Sequence, residues 1–382
     1  MASDFPLSGE FYFAQMDDWT YCVQTLPKVS RTFALNISVL RGTLHRSILT
    51  AYLFCRIVDT VEDAAKLNPK IKIKLLMEFS RLIEDRDFRG KNLIAWVGEC
   101  EAVDGSPNDL DLLNQVERVF KVFDSLPGNH QAQIIPAVAK MAKGMAFFQS
   151  RFQVGKITPL ASVQDLEEYC YFVAGVVGEM LCNLFFQKLP HLSETARNTM
   201  RQNAVSFGLG LQMTNISKDI IADRDRGWSY IPKSIISEKG LTVDEFHSGV
   251  SMEKNLQILE SLLCKTNGHL HDALKFTLAL PRTEIALRLF CIWPLWMAVK
   301  TVAVLHNNPE LLNSNAQVKI SRRTVKRILL GTPFIVWSNN LLKFSFDNII
   351  NDKVLKNPPT FDLEGLMTRV KKIPLDTINS NT

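Results

Sequence analysis

The chain has 382 residues, 46% of them hydrophobic, enough to bury a large core as one big domain or two ordinary ones. With 44 basic and 39 acidic residues its net charge is +5, too small and too dispersed to mark a nucleic-acid surface, though it suits a protein that handles diphosphates or touches an anionic membrane. The seven cysteines are odd in number, sit among apolar neighbours and include no CxxC pair, so they read as reduced, buried thiols of a cytoplasmic protein.

Met1 to Trp19 is acidic and mixed, without a basic stretch leading into an apolar one, so no signal peptide is expected. Beyond it, apolar residues recur at helical spacing and alternating strand patterns are nearly absent. The pattern predicts an all-α fold with helices over 30–43, 45–66, 69–86, 108–124, 130–150, 163–187, 194–223, 254–279, 281–306 and 321–346. Turn signals separate them at Asn68-Pro69, Gly105-Ser106-Pro107, Pro127-Gly128-Asn129, Leu189-Pro190 and Asn308-Pro309. Residues 51–58 and 172–186 are apolar all round, which places them in the middle of a bundle. No linker composition and no fixed repeat appears, so residues 1–350 are expected to form a single domain, and the polar, proline-containing stretch 351–382 a mobile tail. The apolar run Ile328–Trp337 is interrupted by Gly331, Thr332 and Pro333, far from the ~20 apolar residues that a spanning helix needs.

Two segments carry the chemistry. In Tyr52-Leu-Phe-Cys-Arg-Ile-Val-Asp-Thr-Val-Glu-Asp63, helical spacing puts Asp59, Glu62 and Asp63 on one face, with Arg56 and Tyr52 on the preceding turns. In Gln212-Met-Thr-Asn-Ile-Ser-Lys-Asp-Ile-Ile-Ala-Asp223, residues Gln212, Asn215, Asp219 and Asp223 form a second stripe, and the following Arg224-Asp-Arg-Gly-Trp-Ser-Tyr-Ile-Pro232 adds cations. Magnesium is a hard cation that takes oxygen ligands, commonly one or two carboxylates plus substrate phosphates. Two facing helices of this kind can hold such ions around a diphosphate and let its C–O bond ionise inside an apolar wall. A single such stripe is ordinarily a solvated face. Here both adjoin all-round apolar sequence, where an unpaired carboxylate is costly. On spacing alone both readings stay open.

The segments Ser30-Arg-Thr-Phe33, Arg56-Ile-Val-Asp-Thr-Val-Glu-Asp63, Tyr169-Cys-Tyr-Phe-Val-Ala-Gly-Val-Val-Gly178 and Gln212-Met-Thr-Asn-Ile-Ser-Lys-Asp219 resemble, in order, the signatures of the squalene/phytoene synthase family. The resemblance runs from about residue 28 to about 330. It implies a single-domain helical isoprenoid synthase that joins two prenyl diphosphates head to head through a cyclopropyl intermediate, with Mg²⁺. By resemblance, Asp59, Glu62, Asp63, Asp219 and Asp223 would be metal ligands. Ser30, Arg31, Phe33, Arg56, Gln212, Asn215, Lys218 and Arg226 would meet the substrate, with Tyr52, Tyr169, Tyr171, Phe172 and Phe290 in the catalytic cavity.

Phe290-Cys-Ile-Trp-Pro-Leu-Trp-Met-Ala298 and Val318-Lys-Ile320 after Asn307-Asn308 are similar to the squalene-forming branch, which acts on farnesyl diphosphate and uses NADPH. Lys319, Arg322 and Arg323 would then meet the 2′-phosphate of NADPH, and Lys326 and Arg327 continue the same basic face toward solvent or a membrane surface. Branches that stop at the cyclopropyl diphosphate or make dehydrosqualene or phytoene remain alternatives. So does a non-catalytic prenyl-lipid binder, although such a binder has no need for the acids. Head-to-tail prenyltransferases and terpene cyclases share the metal logic but not these motifs.

The departures are Phe172 where the family has a proton-handling tyrosine, Ala222 where eukaryotic members have an acid, and Ser321 in place of an arginine. Tyr169 or Tyr171 are the candidate substitutes for the missing hydroxyl. The resemblance further implies a bacterial-type monomer without the C-terminal anchor of eukaryotic members, peripheral at most to the inner membrane face. Gly208-Leu-Gly210 lacks a third glycine and a preceding strand, so it reads as a close helix contact rather than a dinucleotide fingerprint.

Overall fold

Short polar residues start most of the elements. Asp17, Ser30, Asn68, Asp85, Ser106, Ser162 and Ser193 each accept a hydrogen bond from a backbone N–H of the following first turn, satisfying donors that a helix cannot pair internally. The computed structural model describes residues 16–153, 155–312, 318–350 and 358–378. In chain order its helices are α1 (Asp18–Val29), α2 (Arg31–Ser38), α3 (Gly42–Asp63), α4 (Pro69–Glu84), α5 (Arg86–Glu99), α6 (Pro107–Asn114), α7 (Val116–Asp124) and α8 (Gly128–Gln149). They continue with α9 (Val163–Cys170), α10 (Val176–Lys188), α11 (Glu194–Lys218), α12 (Ile220–Asp225), α13 (Lys233–Glu238), α14 (Val243–Ser248) and α15 (Met252–Ala279). The last four are α16 (Ile285–Leu305), α17 (Arg322–Gly331), α18 (Asn339–Ile349) and α19 (Leu363–Lys372). The all-α expectation holds, apart from a two-residue parallel ladder pairing Thr158 with Trp228 and Pro159 with Ser229.

The core runs the length of the bundle. Helix α11 packs along α15 and against α10 and α16, and α8 packs against α3, α4 and α10. Closeness is set by glycine where α11 crosses the turn before α10: a Cβ on Gly208 would stand 2.2 Å from the Ala174 carbonyl oxygen. The segment Val163–Lys188 and helix Ile285–Leu305 are each long and apolar enough to cross a bilayer, yet most of each is buried inside the bundle, as core helices are. No cysteine is disulfide-bonded among the described residues; six are buried and Cys264 is half-buried.

Five features differ from the sequence expectation. The stretch expected as one helix over 108–124 is two, α6 and α7, broken at Gln115 (φ −101°, ψ 20°). The helices α1, α5, α13, α14 and α19 were not expected; α5, for instance, buries only Arg89 and Trp96 and so shows little apolar periodicity. The stretch expected as one helix over 194–223 breaks at Asp219, whose backbone (φ −103°, ψ 19°) leaves helical geometry. The stretch 321–346 is two helices separated by a tight turn at Thr332–Phe334, because Pro333 cannot continue the hydrogen-bond ladder. Within the expected tail, α19 is docked rather than loose: Leu366 and Val370 are buried, and Arg369 pairs with Glu167 (2.6 Å) and Glu168 (2.9 Å) of α9. Residues 351–357 and 379–382 of that tail lie outside the described residues.

Candidate active site

Two cavities meet inside the bundle. The larger, about 1470 Å³ counting its open mouth, is walled mainly by apolar and aromatic side chains of α2, α3, α10, α11 and α16, among them Phe33, Tyr52, Phe207 and Phe290. Pro294 of α16 lies in this wall and has no N–H to offer the Phe290 carbonyl, so the helix ladder is interrupted beside the chamber. The smaller cavity, about 800 Å³, is lined by Glu62, Asp63, Lys218, Asp219, Asp223, Arg226, Tyr169 and Tyr230. Arg56, Asp59, Val173, Gln212 and Asn215 line both, so the apolar chamber opens directly into the acidic one.

The acidic cavity is built against the local electrostatics. Asp59, Glu62 and Asp63 occupy the last turns of α3, and Asp219 caps the C-terminus of α11; both helix ends already carry partial negative charge. Burial, and then the charge of Asp63, pushes the Asp59 carboxyl up to about 7. The same two causes push Glu62 up to about 8. Burial raises Asp223 to about 6 although Arg226 pulls the other way. Cations only partly offset this. Arg226 bridges Asp63 and Asp223 at 2.5 Å each, Lys218 sits 3.1 Å from Asp219, and the buried Lys72 donates to the Glu62 carbonyl at 2.9 Å. Arg56 is held by a two-pronged pair to Asp109, both contacts at 2.8 Å.

This donor set fits magnesium. Five carboxylates, from the ends of α3 and α11 and from α12, face one cavity, while no three His, Cys, Asp or Glu side chains among the described residues close on a single point. Such spacing suits a hard cation that takes one or two protein carboxylates and completes its shell with phosphate and water.

Two tyrosines line the acidic cavity. Tyr169 Oη lies 3.0 Å from Tyr230 Oη and 3.4 Å from Glu62 Oε1, and the two rings stack at 4.6 Å. Burial, then the Glu62 charge, raises both phenols well above their ordinary range, so both keep their protons at neutral pH.

The sequence model of the squalene/phytoene synthase family matches residues 26–324. The chain is 32% identical to the squalene synthase ERG9 of Candida albicans over 89% of this chain and 73% of that one. It is 28% identical to squalene synthase 1 of Arabidopsis thaliana, over 89% and 77% respectively. The chain belongs to the squalene/phytoene synthase family. Its fold matches the solved structure of TcSQS with the ligand BPH1237 at a TM-score of 0.74 and 22% identity, covering 96% of this chain and 99% of that one. Membership makes it a prenyltransferase of isoprenoid biosynthesis.

Against the family motifs, the structure brings together Asp59, Glu62, Asp63, Lys218, Asp219, Asp223 and Arg226 in the acidic cavity, and Ser30, Phe33, Tyr52 and Phe290 in the chamber. Other expected site residues are elsewhere. Arg31 is exposed on the first turn of α2 and lines neither cavity. Residues Tyr171–Gly175 form a wide π turn, which aims Tyr169 and Val173 at the cavities and turns Phe172 away. Phe172 packs on α8 over Gly144, where a Cβ would stand 2.2 Å from its ring. Tyr171 points into a third environment, donating to Glu179 at 2.9 Å and accepting from Lys140 at 3.2 Å. Lys319, Arg322 and Arg323 are exposed and line neither cavity; Lys319 precedes α17 rather than lying on it.

Three functional candidates escaped the sequence reading. Tyr230 lies just beyond the second acidic stripe, but only the ladder at Trp228–Ser229 shows that it returns to Tyr169. Lys72 reads as an ordinary helix lysine until its burial is seen. Asn36, fully buried, lines the apolar chamber with both amide atoms lacking a hydrogen-bond partner, and no sequence pattern marks it.

Proposed function

We propose that this enzyme is a squalene synthase that joins two farnesyl diphosphates head to head through a cyclopropyl diphosphate and then reduces that intermediate with NADPH. The observation that carries the reading is the apolar chamber opening, past Asp59, Gln212 and Asn215, into a cavity with five carboxylates. Asp59, Glu62, Asp63, Asp219 and Asp223 would hold magnesium, which supplies neutralisation of the departing diphosphate.

The chain's own residues do the rest. Lys218 and Arg226 add positive charge at the leaving group, and Arg56, fixed by Asp109, keeps its guanidinium at the boundary. Phe33 and Tyr52, with ring centroids 5.0 Å apart, line the chamber with Phe207 and Phe290, exclude water and offer ring faces to an allylic cation. Tyr169, kept protonated beside Glu62 and Tyr230, is the hydroxyl placed to handle the proton of the first condensation.

For NADPH, Lys319, Arg322 and Arg323 offer exposed cations suited to a 2′-phosphate, and the unpartnered amide of Asn36 offers the chamber a hydrogen-bonding group suited to a carboxamide. The placement of the three cations outside both cavities favours a second reading, an enzyme that ends without reduction. Incubation with farnesyl diphosphate and Mg²⁺, with and without NADPH, separates the two: squalene with NADPH and accumulated cyclopropyl diphosphate without it supports the first. Asp59→Asn and Asp219→Asn should each lower turnover roughly a hundredfold or more, with the fold intact. Near-normal turnover of either at saturating Mg²⁺ refutes the two-stripe assignment.

A further inference from the structure

The segment from α17 through α18 has two apolar faces. One faces inward: Ile328, Thr332, Val336, Leu342 and Phe346 are buried against the bundle. Trp293 and Trp296 of α16 clamp it by donating to Thr332 Oγ1 (2.9 Å) and Ser345 Oγ (3.1 Å). The other faces water. Leu330 is 72% exposed, Phe334 76%, Trp337 57%, Leu341 40% and Phe344 66%. They alternate along the segment with the buried set: Leu330 and Phe334 flank buried Thr332, and Leu341 and Phe344 flank buried Leu342.

Isolated exposed apolar residues are ordinary, but five large ones within fifteen residues are a concentration that points to a partner. The charge around the patch says which. Arg322, Arg323, Lys326 and Arg327 on the preceding turns and Lys343 within the patch are all exposed, and the first four have no ion-pair partner among the described residues. Asp347 is the one exposed acid on the two helices. Aromatic and aliphatic tips beside unpaired cations complement a surface that is apolar inside and anionic outside.

We infer that Leu330, Phe334, Trp337 and Phe344, flanked by Lys326, Arg327 and Lys343, dock the protein on an anionic lipid bilayer. The segment lies in the headgroup layer and does not span: α17 and α18 have 10 and 11 residues, against the ~20 that spanning requires. The arrangement also connects to the chamber. The clamping helix α16 contributes Phe290, Cys291 and Pro294 to the chamber wall, so one helix separates the cavity from the lipid-facing surface. On the proposed function, a hydrocarbon product that water cannot accept would thereby be released next to lipid; the docking itself does not depend on that reading.

The test uses the full chain and vesicles of phosphatidylcholine, alone or mixed with phosphatidylglycerol. Trp337 is the exposed one of the six tryptophans, so its emission should shift blue and be quenched by brominated lipid in the anionic vesicles. Co-sedimentation should favour anionic over neutral vesicles by about tenfold and weaken as salt rises. Phe334→Glu with Trp337→Glu should reduce partitioning at least ~10-fold, and Lys326→Gln with Arg327→Gln should weaken both anionic binding and its salt dependence. Thermal midpoint and pyrophosphate release in detergent should stay as in the wild type, which separates lost docking from lost folding or lost catalysis. Absence of binding to either vesicle, equal binding by the variants, or a solution dimer that Phe334→Glu dissociates would each overturn the inference. Should the double glutamate variant not fold, Trp337→Ser and the quenching of wild-type protein decide the matter.

Discussion

Tyr169→Phe removes a single oxygen and little else. The ring keeps its stack on Tyr230 at 4.6 Å and its edge contact with Phe148 at 5.3 Å, so packing is unchanged. The variant loses the contacts to Tyr230 Oη at 3.0 Å and Glu62 at 3.4 Å, and it leaves the buried Tyr230 hydroxyl with one partner fewer. A neutral hydrogen bond is worth about 1 kcal/mol and a stranded buried hydroxyl costs about 1–3, so the fold should lose roughly 1–2 kcal/mol. If the hydroxyl handles the proton of the first condensation, turnover should fall by about 10²–10⁴, equivalent to about 3–5 kcal/mol of barrier.

Tyr171→Phe should behave in the opposite way. Its hydroxyl serves Glu179 and Lys140, away from both cavities, and charge-assisted bonds contribute about 1.5–3 kcal/mol, so stability drops while turnover stays within about threefold. Phe172→Tyr should restore nothing, because that side chain is wedged over Gly144 on α8. Single-turnover pyrophosphate release without NADPH, together with urea unfolding, measures both quantities for all three variants. Near-normal turnover of Tyr169→Phe, or an equal loss in Tyr171→Phe, refutes the assignment.

Gly208→Ala should cost about 3 kcal/mol or more in urea unfolding, since its Cβ would meet the Ala174 carbonyl at 2.2 Å; a variant as stable as wild type would disprove the close contact. His269 is buried with Ser206 against it, and Ser206 in turn donates to Asp272; burial, then Lys265, lowers its pKa to about 3. The unfolded chain therefore binds the proton first, and stability drains as pH falls below about 6.5, by about 2 kcal/mol at pH 5. The raised acids of the site titrate in the opposite direction, so the measurement is the difference between wild type and His269→Gln at pH 7 and pH 5. An identical acid loss in the two excludes His269 as the source. Replacing Lys319 and Arg322 with alanine should raise KM for NADPH and let the cyclopropyl diphosphate accumulate, with the first pyrophosphate release unchanged; unaltered NADPH dependence returns that face to solvent.

The sequence by itself determined the all-α class and the family, because both rest on local order: 3.6-residue periodicity and motifs contiguous in the chain. It also determined the carboxylate face of α3, since Asp59, Glu62 and Asp63 share one unbroken helix. Tertiary structure decided everything that depends on a break or a return of the chain. The π turn at Tyr171–Gly175 changed which aromatic side chains meet the cavity, because one wide turn shifts the register of every residue near it. The kink at Asp219 let α12 carry Asp223 toward Arg226 and Asp63, and the ladder at Trp228–Ser229 brought Tyr230 back to Tyr169. The docking of α19 rests on Arg369 meeting Glu167 and Glu168, about two hundred positions earlier. Contacts of that separation leave no periodic trace in a single sequence; only packing selects them.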